Sequence, residues 1–452
     1  MHHSSCGIPR GMTEFFGVKF MQRQRVIDTI ETVYKEYGFD PLSTPILEHA
    51  QVFSGHHGEG ESLLFHLKDR KLHDLVMRYD LTVPMARYIA DHPEAPIPFK
   101  QYQIATVFRD DEVDKGHFRE FTQCDGDVIG VREPFADAEV ISMAFDGLSR
   151  LGFSDFVINI NHRSIIKALA KKSGFDDREG ELLVQRSMDE VSKFSEKWVH
   201  HENPAYQDIF ITHVHEILTR RSLPDEAIKN ILFICTLKGD LDQKLESTER
   251  FFGDFHEGAR GVKELKEIFS YLNVEVKKRV KFDLLLARGA DYYTGFILEG
   301  SIPFIPVGAV LGGGRYDNLV KDFGGPDLPA VGMAFGLDRI LTAQAELNFT
   351  QDIEHDARIL VVSVDKEQHR RMLDFTKQLR QKGFAADFIP CISCSEAEIV
   401  EYAKKRNFSL LAMLAENRVL FQEIKHTETA VAPLLKKLFY EDKKFFSTIF
   451  PS

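Results

Sequence analysis

The sequence is poor in cysteine, with five cysteines in 452 residues. Secreted domains held by disulfides use far more, so this usage favours a reducing, cytoplasmic environment. One Cys-x-x-Cys motif, Cys391 and Cys394, has no second pair, and we interpret its spacing as incidental rather than as a redox or metal site. No apolar run approaches the roughly 18 residues of a membrane span. The segment Met1 to Cys6 lacks the apolar core of a signal peptide, so we expect no membrane partner.

Two common ligand signatures are also missing. The run Gly312 to Gly314 matches neither GxxxxGK[ST] nor a GxGxxG turn opening a βαβ unit, which argues against those phosphate-binding loops. The histidines His200, His201, His213 and His215 have no partner cluster at zinc-like spacing, so we expect no metal site formed by protein ligands.

The net charge of −12 argues against a general nucleic-acid coat protein. Residues 357–452 differ from the rest, with 16 Lys and Arg against 12 Asp and Glu. This mild basic excess is compatible with a C-terminal domain that touches a polyanion, and it is also within ordinary variation.

The patterning divides the chain into regions. Residues 163–280 show long polar-rich helical patterns and little alternation, and we interpret them as a mostly helical insertion. We expect the flanking residues 1–162 and 281–345 to form one domain. A polar linker, 346–356, precedes alternating strands and helices over 357–452, which predicts a small parallel or mixed sheet with helices.

The stretch Gln101 to Gly130 carries the most chemistry. An apolar run ends at Arg109, an acidic loop follows, and alternation then returns, which predicts a β-hairpin. Strand side chains alternate between faces, so the second strand presents one set together. That set is Arg119, Phe121, Gln123 and Asp127. Such a face suits a zwitterion activated by a nucleotide, because guanidinium groups bind phosphate and carboxylates bind ammonium. A solvated strand with surface ion pairs is the alternative.

Two further stretches hold candidate residues. Asp80 lies at a strand-to-helix corner, where its carboxylate can face a pocket or, like Thr82, cap the helix. Arg288 precedes the paired Tyr292 and Tyr293 between apolar, β-prone runs, and adjacent residues on a strand would point to opposite faces. Arg339 follows a glycine-containing strand at a helix start, where a lone arginine is usually a surface residue.

Together these stretches resemble the histidyl-tRNA synthetase family of class II aminoacyl-tRNA synthetases. The resemblance rests on FRDDE with GHFREFTQCDGDVIG, on ARGADYYTG, and on GGGRYDNL with PAVGMAFGLDRIL. RYDLTVPMARY is similar to the eukaryote-type members, and YGFDPLSTPILE resembles the first class II motif, which builds the dimer interface. The family implies a catalytic domain on a mixed, mainly antiparallel sheet with a helical insertion, and a C-terminal α/β domain that binds the anticodon.

The resemblance also implies roles for individual residues. The catalytic set is Arg109, Arg288 and Arg339. The histidine-binding set is Asp80, Thr82, Gln123, Asp127, Tyr292 and Tyr293. The ATP-binding set is Arg109, Asp111, His117, Arg119 and Arg339. The implied reaction joins histidine to tRNA(His) through histidyl-adenylate in a homodimer, with ATP as substrate and Mg²⁺ on its phosphates.

Departures from the family pattern keep two alternatives open. His117 stands where the family commonly has arginine, the loop 110–114 is acidic, and the C-terminal domain lacks the usual glycine near Val419. These features concern tRNA recognition more than adenylation. One alternative is a histidine-binding paralogue that regulates ATP phosphoribosyltransferase, although such paralogues generally lose the arginines and the C-terminal domain. The other is an enzyme that charges a non-standard acceptor.

Overall fold

The computed structural model describes residues 7–55, 58–113, 118–196, 204–253, 255–287, 292–349, 358–363, 365–391, 394–415 and 418–424. The chain divides into two compact units. The larger comprises Met1–Phe15 and Gln22–Phe349, and the smaller comprises Phe16–Met21 and Thr350–Ser452. Within the described ranges, no helix is both long and apolar enough to cross a membrane.

The larger unit is built on strands. They are β1 (Asp40–Pro41), β2 (Leu47–His49), β3 (His66–Lys68), β4 (Asp74–Met77), β5 (Phe99–Phe108), β6 (Glu120–Ile129), β7 (Val157–His162), β8 (Val280–Phe282), β9 (Phe296–Ser301), β10 (Leu311–Arg315) and β11 (Ala330–Gly336). Among the described residues, eight of them form one sheet in the order β1-β5-β6-β11-β10-β9-β7-β8. The pairs from β5 to β7 are antiparallel, and the edge pairs β1–β5 and β7–β8 are parallel. The mixed, mainly antiparallel sheet and the predicted β5–β6 hairpin are confirmed.

Helices cover this sheet and fill the segment between β7 and β8. They are α1 (Val18–Glu36), α2 (Thr82–Asp91), α3 (Phe135–Arg150), α4 (Arg163–Lys172), α5 (Arg178–Glu196), α6 (Pro204–Arg220), α7 (Asp225–Thr236), α8 (Leu241–Phe252), α9 (His256–Tyr271), α10 (Val274–Arg279), α11 (Leu319–Asp322) and α12 (Leu337–Glu346). The helical character expected for 163–280 is present in α4 to α10. Apolar residues of α1 and α3, including Ile30 and Ile141, share one buried core with the sheet.

One strand is shorter than the sequence suggests. The apolar run to Ala287 predicts a strand, but β8 ends at Phe282. The residues that follow are buried without a strand partner, and the Asn161 side-chain amide donates to the carbonyls of Leu284 at 3.1 Å and Leu286 at 3.0 Å. Burial favours apolar residues in a turn and in a strand alike, so composition alone did not separate the two.

The smaller unit contains a separate sheet. Its elements are β12 (Arg358–Ser363), α13 (His369–Gln381), β13 (Ala385–Pro390), α14 (Glu396–Lys405), β14 (Leu410–Ala415) and β15 (Arg418–Glu423). The order is β13-β12-β14-β15, with β15 antiparallel, so the predicted mixed α/β sheet is confirmed. The interpretation of the Cys-x-x-Cys motif as incidental is wrong, because Cys391 and Cys394 form a disulfide with their Cα atoms 5.6 Å apart. Ser395, directly after Cys394, is the N-cap of α14, and its side chain accepts the Glu398 backbone N–H.

A buried ion pair joins the main sheet to α3. Arg315, at the end of β10, donates from Nε and Nη2 to the two carboxylate oxygens of Asp137 at 2.9 Å and 2.6 Å. A third bond reaches the Val131 carbonyl at 3.0 Å. The two side chains are only 7% and 2% exposed, so neither charge has water to replace its partner. The bidentate geometry is what makes this burial tolerable.

Arg315→Leu should therefore destabilise the larger unit by about 3–5 kcal/mol, because it leaves the Asp137 carboxylate buried and unpaired. The measurement is the midpoint of chemical denaturation. The double variant with Asp137→Leu should recover much of the loss, since no buried charge then remains. Arg150→Leu is the matched control, because Arg150 pairs with Glu36 at 42% and 51% exposure and should leave the midpoint unchanged. Equal losses in the Arg315 and Arg150 variants would contradict this account.

Candidate active site

The central strand β6 carries three polar side chains on one face. Gln123, Asp125 and Asp127 alternate along the strand, and the two carboxylates are each only 2% exposed. Asp125 has the same parity as the predicted set, and the alternation that selected its neighbours should have included it. The hairpin register places Gln101 of β5 directly opposite Asp127.

The strand-to-helix corner before α2 brings two more predicted residues to this face. Asp80 accepts the Val83 backbone N–H in the first turn of α2 at 3.1 Å, and its charge raises the pKa of Asp125 and Asp127. The suggestion that Thr82 is the N-cap is wrong. Thr82 is the first helical residue, and its hydroxyl donates to Asp125 at 3.4 Å instead.

Asp127 is held in one orientation by its neighbours. Tyr316 donates its hydroxyl to one carboxylate oxygen, and the Gln101 amide donates to the other at 2.7 Å. Gly332 lies opposite on β11, where a Cβ atom would be 1.9 Å from the nearer Asp127 oxygen. The absence of a side chain at Gly332 therefore makes room for the Asp127 carboxylate.

Burial raises the pKa of Asp127 to about 7, with the neighbouring Asp80 adding to the effect and the donors Tyr316 and Gln101 opposing it. The pKa of Asp125 is raised well above its usual range, chiefly by burial and then by the charge of Asp127. Three carboxyl groups thus share a site with little water, where a cation would relieve both burial and mutual repulsion.

Three acceptors at this face lack donors. Within the part of the chain that the structure describes, one carboxylate oxygen of Asp125 and the amide oxygens of Gln123 and Gln101 are buried without a hydrogen-bond partner. Buried acceptors are normally paired, so unpaired ones beside a cluster of carboxyl groups indicate a site for a ligand that donates. A primary ammonium offers three N–H donors and a positive charge, and it satisfies both requirements.

The paired tyrosines border this cluster, but not in the predicted way. Strand β9 begins at Phe296, so Tyr292 and Tyr293 precede it and strand alternation does not separate them. Their rings lie 4.8 Å apart. Tyr292 shares a hydrogen bond with Thr82 and packs edge-on against Tyr316 at 5.7 Å. Tyr293 lies against Gly314, whose Cβ would approach its ring to 2.8 Å.

Arg109 lies where β5 ends, flat against two aromatic rings. Its guanidinium carbon is 4.1 Å from the ring centre of Tyr79 and 5.0 Å from that of Phe121, and Nε donates to the Tyr79 carbonyl at 3.2 Å. Among the described residues, its terminal nitrogens make no hydrogen bond to protein. A guanidinium fixed by its Nε and its face keeps its outer N–H groups available for a planar or tetrahedral anion.

Arg119 is tied to the loop that follows Arg109. Its Nε donates to the Asp111 carbonyl at 3.0 Å, and its Nη2 lies 3.2 Å from the Asp110 carboxylate. The carbonyl of Gly11 accepts the backbone N–H groups of Arg119 at 2.9 Å and Glu120 at 3.2 Å. The Asp111 carboxylate accepts an N–H within its own loop and is exposed.

The remaining predicted residues are in part outside the described region. Arg339 lies in the first turn of α12, and its guanidinium donates to the Ala309 carbonyl at 2.8 Å. The three glycines 312–314 form part of strand β10 and not a phosphate-binding loop. His117 and Arg288 lie outside the described residues, so their predicted roles stay predictions.

Sequence reasoning missed three residues at this site: Gln101, Asp125 and Tyr316. Asp125 could have been found from strand parity and Gln101 from the hairpin register. Tyr316 belongs to the quoted GGGRYDNL stretch, but its contact with Asp127 spans 189 positions in sequence, and no local pattern announces it.

The mixed, mainly antiparallel sheet is the one expected of a class II aminoacyl-tRNA synthetase. The family profile for histidyl-tRNA synthetase matches residues 11–340. The histidine–tRNA ligase of Aeropyrum pernix is 36% identical over 380 residues, covering 83% of this chain and 82% of the relative. That of Korarchaeum cryptofilum is 33% identical over 412 residues, covering 90% and 91%. The chain belongs to the histidyl-tRNA synthetase family.

Solved structures agree in fold. Histidyl-tRNA synthetase from Nostoc sp. PCC 7120 superposes with a TM-score of 0.75 at 24% identity, covering 96% of this chain and 100% of that one. A Bacillus halodurans protein described as an ATP phosphoribosyltransferase regulatory subunit/histidyl-tRNA synthetase gives a TM-score of 0.71 at 21% identity, covering 91% and 99%. Because both activities are named for this fold, the fold alone does not select between them.

Gly332→Ala should disturb this site selectively, because the added methyl group would collide with the Asp127 carboxylate and approach the Gly126 carbonyl to 2.8 Å. We expect histidine affinity, measured by calorimetry, to fall about 10- to 100-fold, the scale for small misplacements in a site. Gly336→Ala, on the same strand, is the control, since its Cβ would have its nearest neighbour at an ordinary 3.5 Å. Unchanged affinity in the Gly332 variant would show that Asp127 does not depend on this space.

Proposed function

We propose that this chain is a histidine–tRNA ligase, which forms histidyl-adenylate from histidine and ATP and transfers the histidyl group to tRNA(His). The observation that carries the proposal is the buried group Asp80, Asp125 and Asp127, with unpaired acceptors on Asp125 and on the neighbouring Gln123, beside the clamped Arg109. Membership of the family supports it. The unpaired acceptors suit a cation that donates hydrogen bonds, and Arg109 suits an anion. An amino acid that is being joined to a phosphate offers both groups: its ammonium and the phosphate at its carboxyl end.

We assign the α-ammonium of histidine to the acceptors of Asp80, Gln123 and Asp125, with Thr82 beside them. The imidazole would donate to Asp127, which Tyr316 and Gln101 hold in position, with Tyr292 and Tyr293 enclosing the ring. A side chain that cannot donate there leaves buried polar atoms unpaired. That penalty can reject an incorrect amino acid by on the order of 10⁴-fold without an editing site.

The chemistry would need position and charge rather than a covalent enzyme intermediate. A carboxylate oxygen of histidine attacks the α-phosphorus of ATP, and the bond to pyrophosphate breaks. Arg109 and Arg288 would stabilise the charge that develops on the α-phosphate, and Arg339 would bind the γ-phosphate. Asp111, His117 and Arg119 would complete the ATP site. In the second step, a terminal ribose hydroxyl of the tRNA attacks the acyl carbon and AMP leaves.

Mg²⁺ would accompany ATP, since this ion prefers phosphate oxygens and water with one or two protein carboxylates. The side chains of the proposed ATP site suit an ion that is bound mainly by phosphate oxygens and water. The described residues contain no group of three or more side chains able to hold a metal ion on their own, so the phosphates would supply most ligands.

A homodimer is part of the proposal. The small sheet β2-β4-β3 and the turn beside it expose Leu47 at 46%, Ile46 at 47% and Leu72 at 73%. Apolar residues grouped in this way are typical of a protein interface. Ile46 and Leu47 belong to the stretch that resembles the first class II motif, and Leu72 lies beyond it. We also propose a cytoplasmic location, because the proposed reaction needs both ATP and tRNA.

The test is a paired assay on one preparation: histidine-dependent exchange of pyrophosphate into ATP, and histidylation of tRNA. Both should proceed, and sedimentation should give a mass of twice 51.7 kDa. Arg288→Ala should abolish exchange and leave the dimer intact, and near-normal exchange would remove this residue from the site. Exchange without charging would mean a different acceptor. Histidine binding with neither activity would favour the regulatory paralogue, whose fold the Bacillus halodurans structure shares.

The raised pKa of Asp127, about 7, predicts a pH dependence of histidine binding. Below that pH the carboxyl group is protonated and must lose its proton before it accepts from the imidazole. The KM for histidine in the exchange assay should therefore rise as the pH falls from 8 to 6, by up to about tenfold per pH unit. The folding stability of the free protein depends on pH in the opposite direction. The free protein binds this proton more tightly than the unfolded chain, so it loses stability as the pH rises from about 4 to 7.

Titration calorimetry in buffers of different ionisation enthalpy provides a direct check. Histidine binding at pH 6.5 should release protons from wild-type protein beyond those from histidine itself. Asp127→Asn cannot contribute to that release, and equal proton release by the two proteins would assign the dependence to another group.

A further inference from the structure

The junction of three elements lies beside the arginine assigned to the γ-phosphate. Strand β11 ends at Gly336, directly opposite Gln123, so among the described residues β6 has no strand neighbour on that side beyond this point. The next residue, Thr122, donates its backbone N–H to Asp338 at 2.9 Å. The Asp338 carboxylate, in the first turn of α12, thus continues the hydrogen bonding of the sheet after the strand has ended.

The cation at this junction comes from α1, far away in sequence. Arg23 donates from Nη1 to Asp338 at 2.5 Å and from Nη2 to the Thr122 hydroxyl at 2.5 Å. Its guanidinium lies over the Phe15 ring, 4.6 Å from the centre. Arg23 and Asp338 are only 13% and 11% exposed, so the pair is largely shielded from water. A pair with that burial and two directed bonds constrains geometry more than a surface ion pair does.

We propose that Arg23 is a positioning residue for ATP: through Asp338, it fixes the first turn of α12 and so sets the position of Arg339 relative to β6. This inference rests on the proposed role of Arg339 as a phosphate ligand. Asp338 and Arg339 are adjacent, so a rotation of the helix start that releases the Asp338 carboxylate also moves the Arg339 guanidinium.

The part of the histidine site assigned to the imidazole lies away from this junction, and Gln123, which is next to Thr122, is still paired with Gly336 of β11. Asp127 is oriented by Gln101, Tyr316 and the space at Gly332, which lie further along β6 and β11. Loss of Arg23 would leave Asp338 partly buried without its cation, and the carboxylate would turn towards water or take up a proton. The expected consequence is weaker use of ATP with histidine binding preserved.

The experiment compares Arg23→Met, Asp338→Asn, the double variant and wild type. Methionine keeps much of the apolar stem of Arg23 and removes its charge and donors. Lys35→Met is the matched control, because it removes a positive charge from the same helix at a side chain that is 58% exposed and pairs with Glu31. Exchange assays give the KM for ATP and for histidine, and calorimetry gives the affinity for each ligand alone.

We expect Arg23→Met to raise the KM for ATP by about 10- to 100-fold, the scale for a misplaced binding group, while histidine affinity stays within about twofold of wild type. Lys35→Met should match wild type. The double variant should be little worse than either single variant, because the two residues act through one junction. Arg23→Lys, which keeps the charge and one bond, should give an intermediate KM.

Three results would overturn the proposal: an unchanged KM for ATP in Arg23→Met, equal losses for ATP and histidine, or multiplicative effects in the double variant. If Arg23→Met does not fold, the KM for ATP of Arg23→Lys and Asp338→Asn decides in the same way. The exchange activity of the wild type distinguishes the two hypotheses. If the wild type shows no pyrophosphate exchange, the proposed ligase activity is refuted. If the wild type shows exchange and the KM for ATP of the variants is unchanged, only the role of Arg23 is refuted.

Discussion

The burial of three carboxyl groups at one place on a sheet is the constraint on which the rest of the site depends. Asp80, Asp125 and Asp127 cannot all carry charge in such an environment unless something cationic joins them. The protein supplies donors to only part of the group: Tyr316 and Gln101 serve Asp127, while Asp125 and Gln123 keep acceptors without partners in the described structure. The described residues thus leave part of the site without donors, and this is the part to which we assign the substrate ammonium.

The surrounding architecture follows from holding that group rigidly. Two neighbouring strands give β6 a fixed register on both sides, and Gly332 on β11 yields the space that the Asp127 carboxylate occupies. Beyond the end of β11, the Asp338 side chain accepts the next backbone N–H of β6. This hydrogen bond connects the start of α12 to the sheet. The proposed amino-acid site and the proposed phosphate site thus lie towards opposite ends of one strand, and backbone pairing sets the distance between them.

Local pattern predicted those parts of the molecule that local physics determines. Alternation identified the β5–β6 hairpin and the shared face of Gln123 and Asp127, and helical spacing identified the insertion. The misses have a common cause, since each depends on a contact made after the chain folds. Thr82 bonds to Asp125 instead of capping its helix, and Tyr292 and Tyr293 lie before their strand because β9 starts only at Phe296. The space that Gly332 provides could not be predicted without its opposite residue, and Arg23 meets Asp338 across 315 positions.

The pairing of Gly332 with Asp127 also limits how the specificity of this site could be changed. The two positions are direct neighbours across β6 and β11, and the Asp127 carboxylate occupies the space that a side chain at position 332 would need. A shorter residue at 127 would leave a void at the strand centre, and a longer one would have to extend into the substrate volume. Any redesign towards another amino acid, and any evolutionary drift in that direction, must therefore treat the two positions as a single unit of variation.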